Sequence, residues 1–216
     1  MNIILFGPPG AGKGTQADKI VEAFDLHKVS TGDLLRKEIK NRTVLGSKIE
    51  SIIDSGNLVS DYIINDLITN ILSSKKFYNR LIFDGYPRNL NQAKALKLQI
   101  KKHSQNISCV FSLNVDRDIV IKRILGRQTC SKCGSIFNKY FNPSNNSNHD
   151  CDSRFLITRP DDNDEIIVSR YETYLSKTLP ILNFYKEQNL LKQINGMNTI
   201  DQIFEEIRVI LSTLQA

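Results

Sequence analysis

A glycine-rich segment near the start of the chain carries the residue types that bind phosphate. Gly7, Gly12 and Lys13 have the spacing G-x-x-x-x-G-K, and the apolar run 1–6 precedes them. Glycines let consecutive backbone N–H groups turn toward phosphate oxygens, while the lysine reaches the terminal phosphates. A helix that begins near Lys13 adds the positive end of its dipole to the same anion. The segment therefore predicts a triphosphate-binding loop between a buried strand and a helix.

The end of this loop differs from the general pattern. In that pattern a serine or threonine directly after the lysine binds Mg²⁺ through its hydroxyl. Here the next residue is Gly14, and a hydroxyl follows only at Thr15. We therefore expect the usual direct hydroxyl ligand to Mg²⁺ to be missing.

Two later turns carry residues that suit a second phosphorylated ligand. The segment 30–33, Ser-Thr-Gly-Asp, opens a helix after a short strand, so it can cap that helix or hold a polar ligand. Asp84, Arg88 and Gln92 follow the apolar run 81–83. A carboxylate can organise the water shell of Mg²⁺, a guanidinium can bind phosphate through two hydrogen bonds, and an amide can read the edge of a base. This combination favours a phosphorylated acceptor.

Three of the four cysteines are clustered in a polar stretch of the chain. Cys130 and Cys133 form a C-x-x-C pair, and Cys151 follows within the same stretch. Such clustering is typical of a metal site in a reducing compartment more than of a disulfide framework. Tetrahedral structural zinc needs four ligands, so one more side chain would have to contribute.

Alternating strands and helices must position these residues. Apolar runs typical of strands lie at 1–6, 27–29, 80–84, 107–115 and 190–195, and helical segments separate them. This rhythm predicts a three-layer α/β fold of the P-loop NTPase type, in which helices cover both faces of a five-stranded parallel sheet. The ligands would bind at the carboxyl ends of the strands. Cys109, within the fourth run, is expected to be a buried core thiol.

Two segments interrupt the alternation. Residues 30–59 are a helical excursion, with helices predicted over 33–39 and 47–53, and residues 126–162 are a polar insertion that holds the three clustered cysteines. Neither segment is large enough to build a second core. We predict one core domain of residues 1–29, 60–125 and 163–216, with two mobile insertions.

Composition limits which partners and which location the protein is expected to have, but it does not identify an activity. The chain has 216 residues, of which 40% are hydrophobic, and a formal net charge of +6. A nucleic-acid partner would suit that charge, but no basic stripe interleaved with aromatic residues supports one, so none is expected. The sequence shows neither an apolar stretch of about 20 residues nor a cleavable leader, so we expect no membrane association and a cytoplasmic location.

Read together, the motifs resemble those of the adenylate kinase family of nucleoside monophosphate kinases, over essentially the whole chain. The loop Gly-Pro-Pro-Gly-Ala-Gly-Lys-Gly-Thr, with glycine after the lysine, is similar to that family's own phosphate loop. Ser-Thr-Gly-Asp at 30–33, and Asp-Gly-Tyr-Pro-Arg at 84–88 with Gln92, are similar to its monophosphate-binding motifs. Pyrimidine-nucleotide kinases favour Asn-x-Asp-Asn after the arginine, and Asn-Leu-Asn-Gln at 89–92 does not match that pattern.

The resemblance implies reversible transfer of a phosphoryl group from MgATP to AMP, giving two ADP and serving adenine nucleotide homeostasis. We expect a monomer. Catalytic roles are implied for Lys13, Asp84, Arg88, Arg123, Arg159 and Arg170. Contacts with ATP are implied for Gly10, Ala11, Gly12, Lys13, Gly14, Thr15, Arg127, Ile136, Phe137 and Gly196. Contacts with AMP are implied for Thr31, Arg36, Asn57, Leu58, Val59, Gly85, Tyr86, Pro87, Arg88, Gln92, Arg159 and Arg170.

The cysteine cluster resembles the zinc-bearing lid of many bacterial adenylate kinases, but it departs from that pattern at one position. Their fourth ligand is a Cys or Asp three residues beyond the third cysteine, and here that position is Arg154, which cannot bind a cation. Zinc bound to Cys130, Cys133 and Cys151 would need a substitute, with Asp152 as the first choice and His149 or Asp150 as alternatives. The other interpretation is a relic site whose thiols stay reduced.

Three other functions share some of these features. A kinase for another nucleoside monophosphate needs the same two sites. A P-loop switch needs the phosphate loop alone, so it leaves residues 84–92 and the lid arginines unexplained. A zinc-ribbon nucleic-acid module is supported by charge and cysteines, but the cluster lies within the lid of a phosphate-loop protein. Because water can also accept the phosphoryl group, we expect the site to form only when residues 30–59 close over AMP and residues 126–162 close over ATP.

Overall fold

The computed structural model describes residues 1–55, 57–145 and 148–214. Within them the strands in chain order are β1 (Asn2–Phe6), β2 (His27–Ser30), β3 (Leu81–Asp84), β4 (Ile107–Asn114), β5 (Arg127–Cys130), β6 (Ile136–Asn138), β7 (Leu156–Ile157) and β8 (Leu191–Asn195). Five of these strands form a sheet of order β2-β3-β1-β4-β8, and every neighbouring pair is parallel. The other three form a separate antiparallel sheet of order β6-β5-β7.

Helices connect the parallel strands, and capping side chains start several of them. In chain order they are α1 (Lys13–Phe24), α2 (Thr31–Lys40), α3 (Val44–Asp54), α4 (Asp61–Leu72), α5 (Leu90–Lys102), α6 (Arg117–Leu125), α7 (Asp164–Thr173), α8 (Ile181–Lys186) and α9 (Ile200–Thr213). Ser30 accepts a hydrogen bond from the backbone N–H of Asp33 at the start of α2. Asn89 does the same for the N–H of Gln92 at the start of α5. These caps satisfy N–H groups that a helix leaves unpaired at its first turn.

The core lies on both faces of the parallel sheet. Side chains alternate along β1, so Ile3 and Leu5 pack with α1 and α9 while Ile4 and Phe6 pack with α4, α5 and α8. All four of these side chains are buried. A central strand that is buried on both faces reads as a continuous apolar run, which is why the sequence identified it. The predicted three-layer fold with a five-stranded parallel sheet is confirmed.

The fourth strand also holds the predicted core thiol. Cys109 is buried, and burial raises the pKa of its thiol to about 11. The thiol therefore stays protonated at neutral pH, and Cys109 packs in the core as a small apolar side chain.

The two predicted insertions differ in architecture. Helices α2 and α3 occupy most of residues 30–59, whereas the antiparallel sheet β5 to β7 occupies most of residues 126–162. Gly56 in the first segment and residues 146 and 147 in the second lie outside the described residues. The first segment begins where β2 ends, at Ser30, and the second begins directly after α6 ends at Leu125.

A widened helical turn joins α7 to α8. Residues Tyr174–Thr178 form a π-helical turn, in which the N–H of Leu179 donates to the carbonyl of Tyr174 at 2.8 Å. Pro180 follows and has no N–H to continue a regular α-helical ladder. The Thr178 hydroxyl donates to the carbonyl of Arg88 at 2.8 Å, which ties this helix to the loop after β3.

Among the described residues, no helix combines the length and the apolar character needed to cross a bilayer.

Candidate active site

The glycine-rich loop lies between β1 and α1, where the sequence predicts it. Gly10 and Gly12 have φ angles of +77° and +90°, in the left-handed region that glycine adopts without strain. A Cβ at Gly10 would also come within 2.7 Å of Cγ1 of Ile124, so the loop packs closely against α6. The Lys13 ammonium donates to the carbonyls of Gly7 and Pro8 at 2.8 Å and 2.9 Å. The lysine therefore lies folded over its own loop.

A cavity of about 650 Å³ opens at the carboxyl ends of the parallel strands. Its wall combines residues of the phosphate loop, of the loop after β3 and of both insertions. The predicted site residues in this wall are Gly10, Ala11, Gly12, Lys13, Gly14, Thr15, Arg36, Asp84, Gly85, Arg88, Arg123, Arg127, Ile136, Phe137, Arg159 and Arg170. A volume of this size is typical of small-molecule sites.

Other predicted residues lie behind or beside this wall. Leu58 and Pro87 line an adjoining cavity of about 90 Å³ together with Lys13 and Arg88. Four more are buried: Thr31, Val59, Tyr86 and Gln92. Asn57 lies on the surface, where its side-chain amide donates to the hydroxyl oxygen of Ser55.

Gly196 lies next to the wall and not in it. Its N–H donates to the carbonyl of Asn114 at 2.8 Å, and its neighbours Met197 and Asn198 line the main cavity. A Cβ on Gly196 would come within 2.5 Å of Cγ2 of Val115. Glycine at this position therefore allows the turn after β8 to approach β4 closely.

The loop after β3 is fixed by a chain of hydrogen bonds. The Gln92 side chain accepts from the N–H of Arg88 at 2.7 Å and donates to the Asp61 carboxylate at 2.8 Å. Nε of Arg88 donates to the carbonyl of Gly85 at 2.8 Å, and the Thr31 hydroxyl donates to the same carbonyl at 2.8 Å. Arg88 is therefore held by its backbone and by its side chain. Asp61 belongs to this network, although no motif singled it out.

Two aspartates that the sequence analysis did not select hold two of the arginines. Nε of Arg127 donates to Oδ2 of Asp162 at 2.7 Å, and Nη1 of Arg170 donates to Oδ2 of Asp161 at 2.7 Å. The Asp162 side chain is 0% exposed and that of Asp161 only 9%. Buried carboxylates need such partners. An acidic pair directly after Arg159-Pro160 in a polar insertion was the signal that could have identified them.

The cationic side chains of the site lower one another's pKa values. The pKa of Lys13 is lowered to about 8, mainly by burial; Asp84 opposes this shift, and Arg88, Arg170 and Arg127 add to it. Burial is also the main cause that lowers the pKa values of Arg88 and Arg159 to about 10. A gathering of partly desolvated cations favours a polyanionic ligand, because the ligand supplies the missing negative charge.

Arg123 and Arg127 lie in different parts of this cavity. The field of Arg127 reaches Lys13, Arg159 and Arg170, so Arg127 belongs to the cationic cluster. Only burial shifts the pKa of Arg123, and its Cζ lies 5.4 Å from the centroid of the Phe141 ring. The structure therefore places Arg127 within the cluster, whereas Arg123 lines the same cavity beside Phe141.

Asp84 and Thr15 carry oxygen atoms that lie beside the phosphate loop. Oδ2 of Asp84 lies 3.6 Å from the position that a Cβ on Gly14 would take, so the carboxylate faces the end of the loop. Both residues line the cavity. Mg²⁺ usually keeps several waters and binds one or two protein oxygens together with substrate phosphates. This donor set fits that ion.

The clustered cysteines come together in the second insertion. Ligand atoms of Cys130, Cys133, His149 and Cys151 all lie within 4.8 Å of one another. Tetrahedral zinc with sulfur ligands at about 2.3 Å sets neighbouring ligand atoms about 3.8 Å apart, so this cluster can hold such an ion. Nδ1 of His149 lies 2.9 Å from Oγ of Ser144, which orients the ring and leaves Nε2 facing Cys133 at 3.6 Å.

The first choice for a fourth ligand, Asp152, lies outside this group. Its carboxylate accepts a hydrogen bond from the N–H of Arg154 at 2.8 Å and caps the short 3₁₀ turn Ser153–Phe155. His149 occupies the fourth position among the described residues. The structure thus favours the alternative ligand over Asp152, and Asp150 is not part of the group either.

The fold and the site together define a P-loop phosphotransferase. A profile described as adenylate kinase matches residues 5–190. A protein named adenylate kinase from Pelagibacter ubique is 49% identical over 98% of this chain and 99% of its own length. Adenylate kinases from Fervidobacterium nodosum and Enterococcus faecalis are 41% and 38% identical, over 95% and 98% of this chain and 94% and 99% of their own lengths. The chain therefore belongs to the adenylate kinase family and is a nucleoside monophosphate kinase.

Proposed function

We propose that this protein transfers the γ-phosphoryl group of MgATP to the α-phosphate of AMP, reversibly, and so forms two ADP. The observation that carries the proposal is the single cavity in which Lys13, Arg88, Arg127, Arg159 and Arg170 converge. Joining two anionic nucleotides requires this concentration of positive charge. The five cations come from the phosphate loop, the loop after β3, the second insertion and α7.

ATP binds with its phosphates in the glycine-rich loop, whose backbone N–H groups and helix dipole suit the β- and γ-phosphates. Its base lies on the side of the cavity lined by Arg123, Ile136, Phe137 and the turn after β8. Cδ1 of Ile136 lies 3.8 Å from the position of a Cβ on Gly14, so β6 reaches over the phosphate loop. This contact supports the assignment of residues 126–162 as the lid over ATP.

AMP binds between the first insertion and the loop after β3. Arg36 and Arg88 line the cavity there and suit its phosphate, and Leu58 lies next to Arg88. Gln92 is buried behind Arg88, and each of its amide atoms keeps hydrogen-bonding capacity beyond the one bond that it forms. That capacity suits the edge of adenine.

Catalysis follows from the placement of charge. The transferring phosphoryl passes through a loose transition state, so the protein must align two nucleotides and stabilise charge that develops on phosphate oxygens. Lys13, Arg88, Arg127, Arg159 and Arg170 do this, and no strong general base is needed. Mg²⁺, which Asp84 and Thr15 would hold through its water shell, supplies further charge on the β- and γ-phosphates when it is bound.

Closure of the two insertions excludes water, which would otherwise accept the phosphoryl group. We assign residues 30–59 and 126–162 to these moving parts and residues 1–29, 60–125 and 163–216 to the core. Asp33 and Arg36 on α2 line the same cavity as Arg159 of the second insertion, which supports closure of both segments over one cavity.

An assay of ATP consumption with AMP, GMP, CMP or UMP as the acceptor tests this function. We expect AMP to be preferred by at least about 10²-fold in kcat/KM, since a buried amide that reads one base edge leaves polar groups unpaired with another base. Preference for another monophosphate would replace AMP in the proposal. Binding of ATP without transfer to any of the four would favour a nucleotide-dependent switch. A cytoplasmic location stays a prediction. The monomeric state and the lack of a nucleic-acid partner also stay predictions, which sedimentation with and without RNA tests.

Lys13 links ATP binding to uptake of a proton. With a pKa of about 8 in the free protein, a growing fraction of Lys13 is neutral above that pH. Phosphate favours the charged form and raises the pKa, so we expect ATP binding to take up a proton and to weaken as pH rises from about 7.5 to 9.5. Calorimetry in two buffers of different ionisation enthalpy measures this uptake. Lys13→Arg should abolish the uptake near pH 8, because the pKa of a buried guanidinium in this cavity, about 10 for Arg88, still lies well above that pH. Unchanged uptake in that variant would assign the proton to another group.

We further propose that zinc binds Cys130, Cys133, His149 and Cys151. We expect the protein purified without added metal to contain about one equivalent of zinc, and His149→Ala to lower zinc affinity by about 10²-fold or more. Competition with a chromophoric chelator measures the affinity. Asp152→Ala is the matched control and should keep the metal. Fewer than about 0.2 equivalents in the unmodified protein would favour a relic site, and zinc loss in Asp152→Ala alone would restore Asp152 as the ligand.

A further inference from the structure

The loop after β6 places an aromatic ring against Arg123. The Phe141 ring centroid lies 5.4 Å from the Arg123 Cζ, and both side chains line the main cavity. Among the described residues, Arg123 has no carboxylate within ion-pair distance, whereas Arg127 and Arg170 each have an aspartate. The aromatic ring is therefore the side-chain partner that the structure gives to this guanidinium.

One amide side chain fixes the backbone of both residues. Nδ2 of Asn138 donates to the carbonyl of Arg123 at 2.6 Å, and its Oδ1 accepts from the N–H groups of Tyr140 and Phe141 at 3.0 Å and 3.2 Å. The N–H of Lys139 also donates to the carbonyl of Gly126 at 2.8 Å. The loop that carries Phe141 is thus fastened to the end of α6, next to Arg123.

We propose that Phe141 is a positioning residue that holds the guanidinium plane of Arg123 against the base of the donor nucleotide. The inference rests on the proposed function, which places that base beside Arg123. A guanidinium is planar and weakly hydrated, so it stacks on an aromatic face and leaves its other face free for a second ring. Without Phe141, Arg123 would sample several rotamers in a cavity that gives it no carboxylate partner.

The experiment separates contacts with the base from contacts with the phosphates. Phe141→Leu is compared with wild type for KM of ATP, KM of AMP, kcat, and inhibition by inorganic tripolyphosphate, which has phosphates and no base. We expect KM for ATP to rise about threefold to tenfold, while the other three constants change less than about twofold. Phe141→Tyr keeps a ring and should restore KM for ATP.

Tyr140→Leu is the matched control. Tyr140 belongs to the same loop and is 59% exposed, against 45% for Phe141. Its ring lies 5.4 Å from the ammonium of Lys122, and it does not line the main cavity. We expect this variant to keep the wild-type KM for ATP, because it leaves Arg123 and its partner in place.

Several results would overturn the inference. An unchanged KM for ATP in Phe141→Leu, an equal loss of tripolyphosphate inhibition, or the same effect in Tyr140→Leu would each exclude a role directed at the base. Arg123→Ala combined with Phe141→Leu should weaken ATP binding no more than Arg123→Ala alone, since the ring acts through the guanidinium. Additive losses of ATP affinity in the double variant would show that Phe141 acts independently of Arg123, which would contradict the inference. Absence of AMP-dependent ATP consumption in the wild type would instead refute the proposed function.

Discussion

We expect replacement of Lys13 with methionine to lower kcat by about 10²- to 10³-fold, the effect of removing one preorganised charge from a transition state. Methionine keeps much of the side-chain length and removes the ammonium group that lies over the phosphate loop. The lost interaction is strongest when charge develops on the transferring phosphoryl group, so kcat falls and not only the affinity for ATP. Steady-state kinetics with saturating AMP measures the effect.

Lys19→Met is the control for this experiment. Lys19 lies on the same helix, α1, and its ammonium pairs with Asp201 on the surface at 2.9 Å. Exposed ion pairs contribute little to stability, so we expect Lys19→Met to unfold within a few degrees of wild type and to keep its activity. A near wild-type kcat in Lys13→Met would refute the assignment of the active site.

The second large effect is expected from Arg88→Ala. We expect kcat/KM for AMP to fall by about 10²- to 10³-fold, while the dissociation constant of ATP changes little. Arg88 faces the acceptor phosphate in the proposed function and is held by hydrogen bonds with Gly85, Gln92 and Thr178. Kinetics with varied AMP and calorimetry with ATP alone separate the two nucleotides.

Arg208→Ala is the control for Arg88→Ala, because it removes an arginine remote from the site. Arg208 lies on α9 and pairs with Glu205 on the surface at 2.6 Å. Its removal should leave kcat/KM for AMP and the dissociation constant of ATP unchanged. If Arg88→Ala weakened ATP and AMP binding equally, Arg88 would belong to the cluster as a whole and not to the acceptor site. Arg88→Lys should recover only part of the loss, because an ammonium group cannot form the paired hydrogen bonds of a guanidinium.

The sequence predicted the central strands of the sheet well because they are buried on both faces. The predicted strand at 107–115 corresponds to Ile107–Asn114, and the one at 190–195 corresponds to Leu191–Asn195. The phosphate loop was predictable for a different reason, since the positive φ angles of Gly10 and Gly12 restrict the residue type at those positions. Local rules were sufficient for both features.

The arrangement of the arginines depends on where a helix ends. Arg123 and Arg127 lie four residues apart, a spacing that would place them on one face of a continuous helix. Helix α6 ends at Leu125, however, and Arg127 begins β5. The second arginine therefore turns toward the cluster and Asp162, while the first stays beside Phe141. No spacing rule predicts that separation.

The fourth ligand of the cysteine cluster depends on the path of an irregular loop. His149 and Asp152 flank Cys151 on opposite sides, so sequence distance hardly distinguishes them. The decisive feature is local: the Asp152 carboxylate caps the turn that follows it, which leaves His149 to face the sulfur atoms. Pairing of Asp161 and Asp162 with arginines likewise requires tertiary contacts that no motif records.

The two hydrogen bonds from Lys13 to the carbonyls of Gly7 and Pro8 have a consequence for substrate capture. A free lysine side chain on a surface loses conformational entropy worth about 1.5–2 kcal/mol when a ligand immobilises it. In this loop the side chain is already restrained before any triphosphate arrives. Most of that entropy is therefore lost during folding, and the incoming phosphates replace two carbonyl partners without having to order a mobile chain.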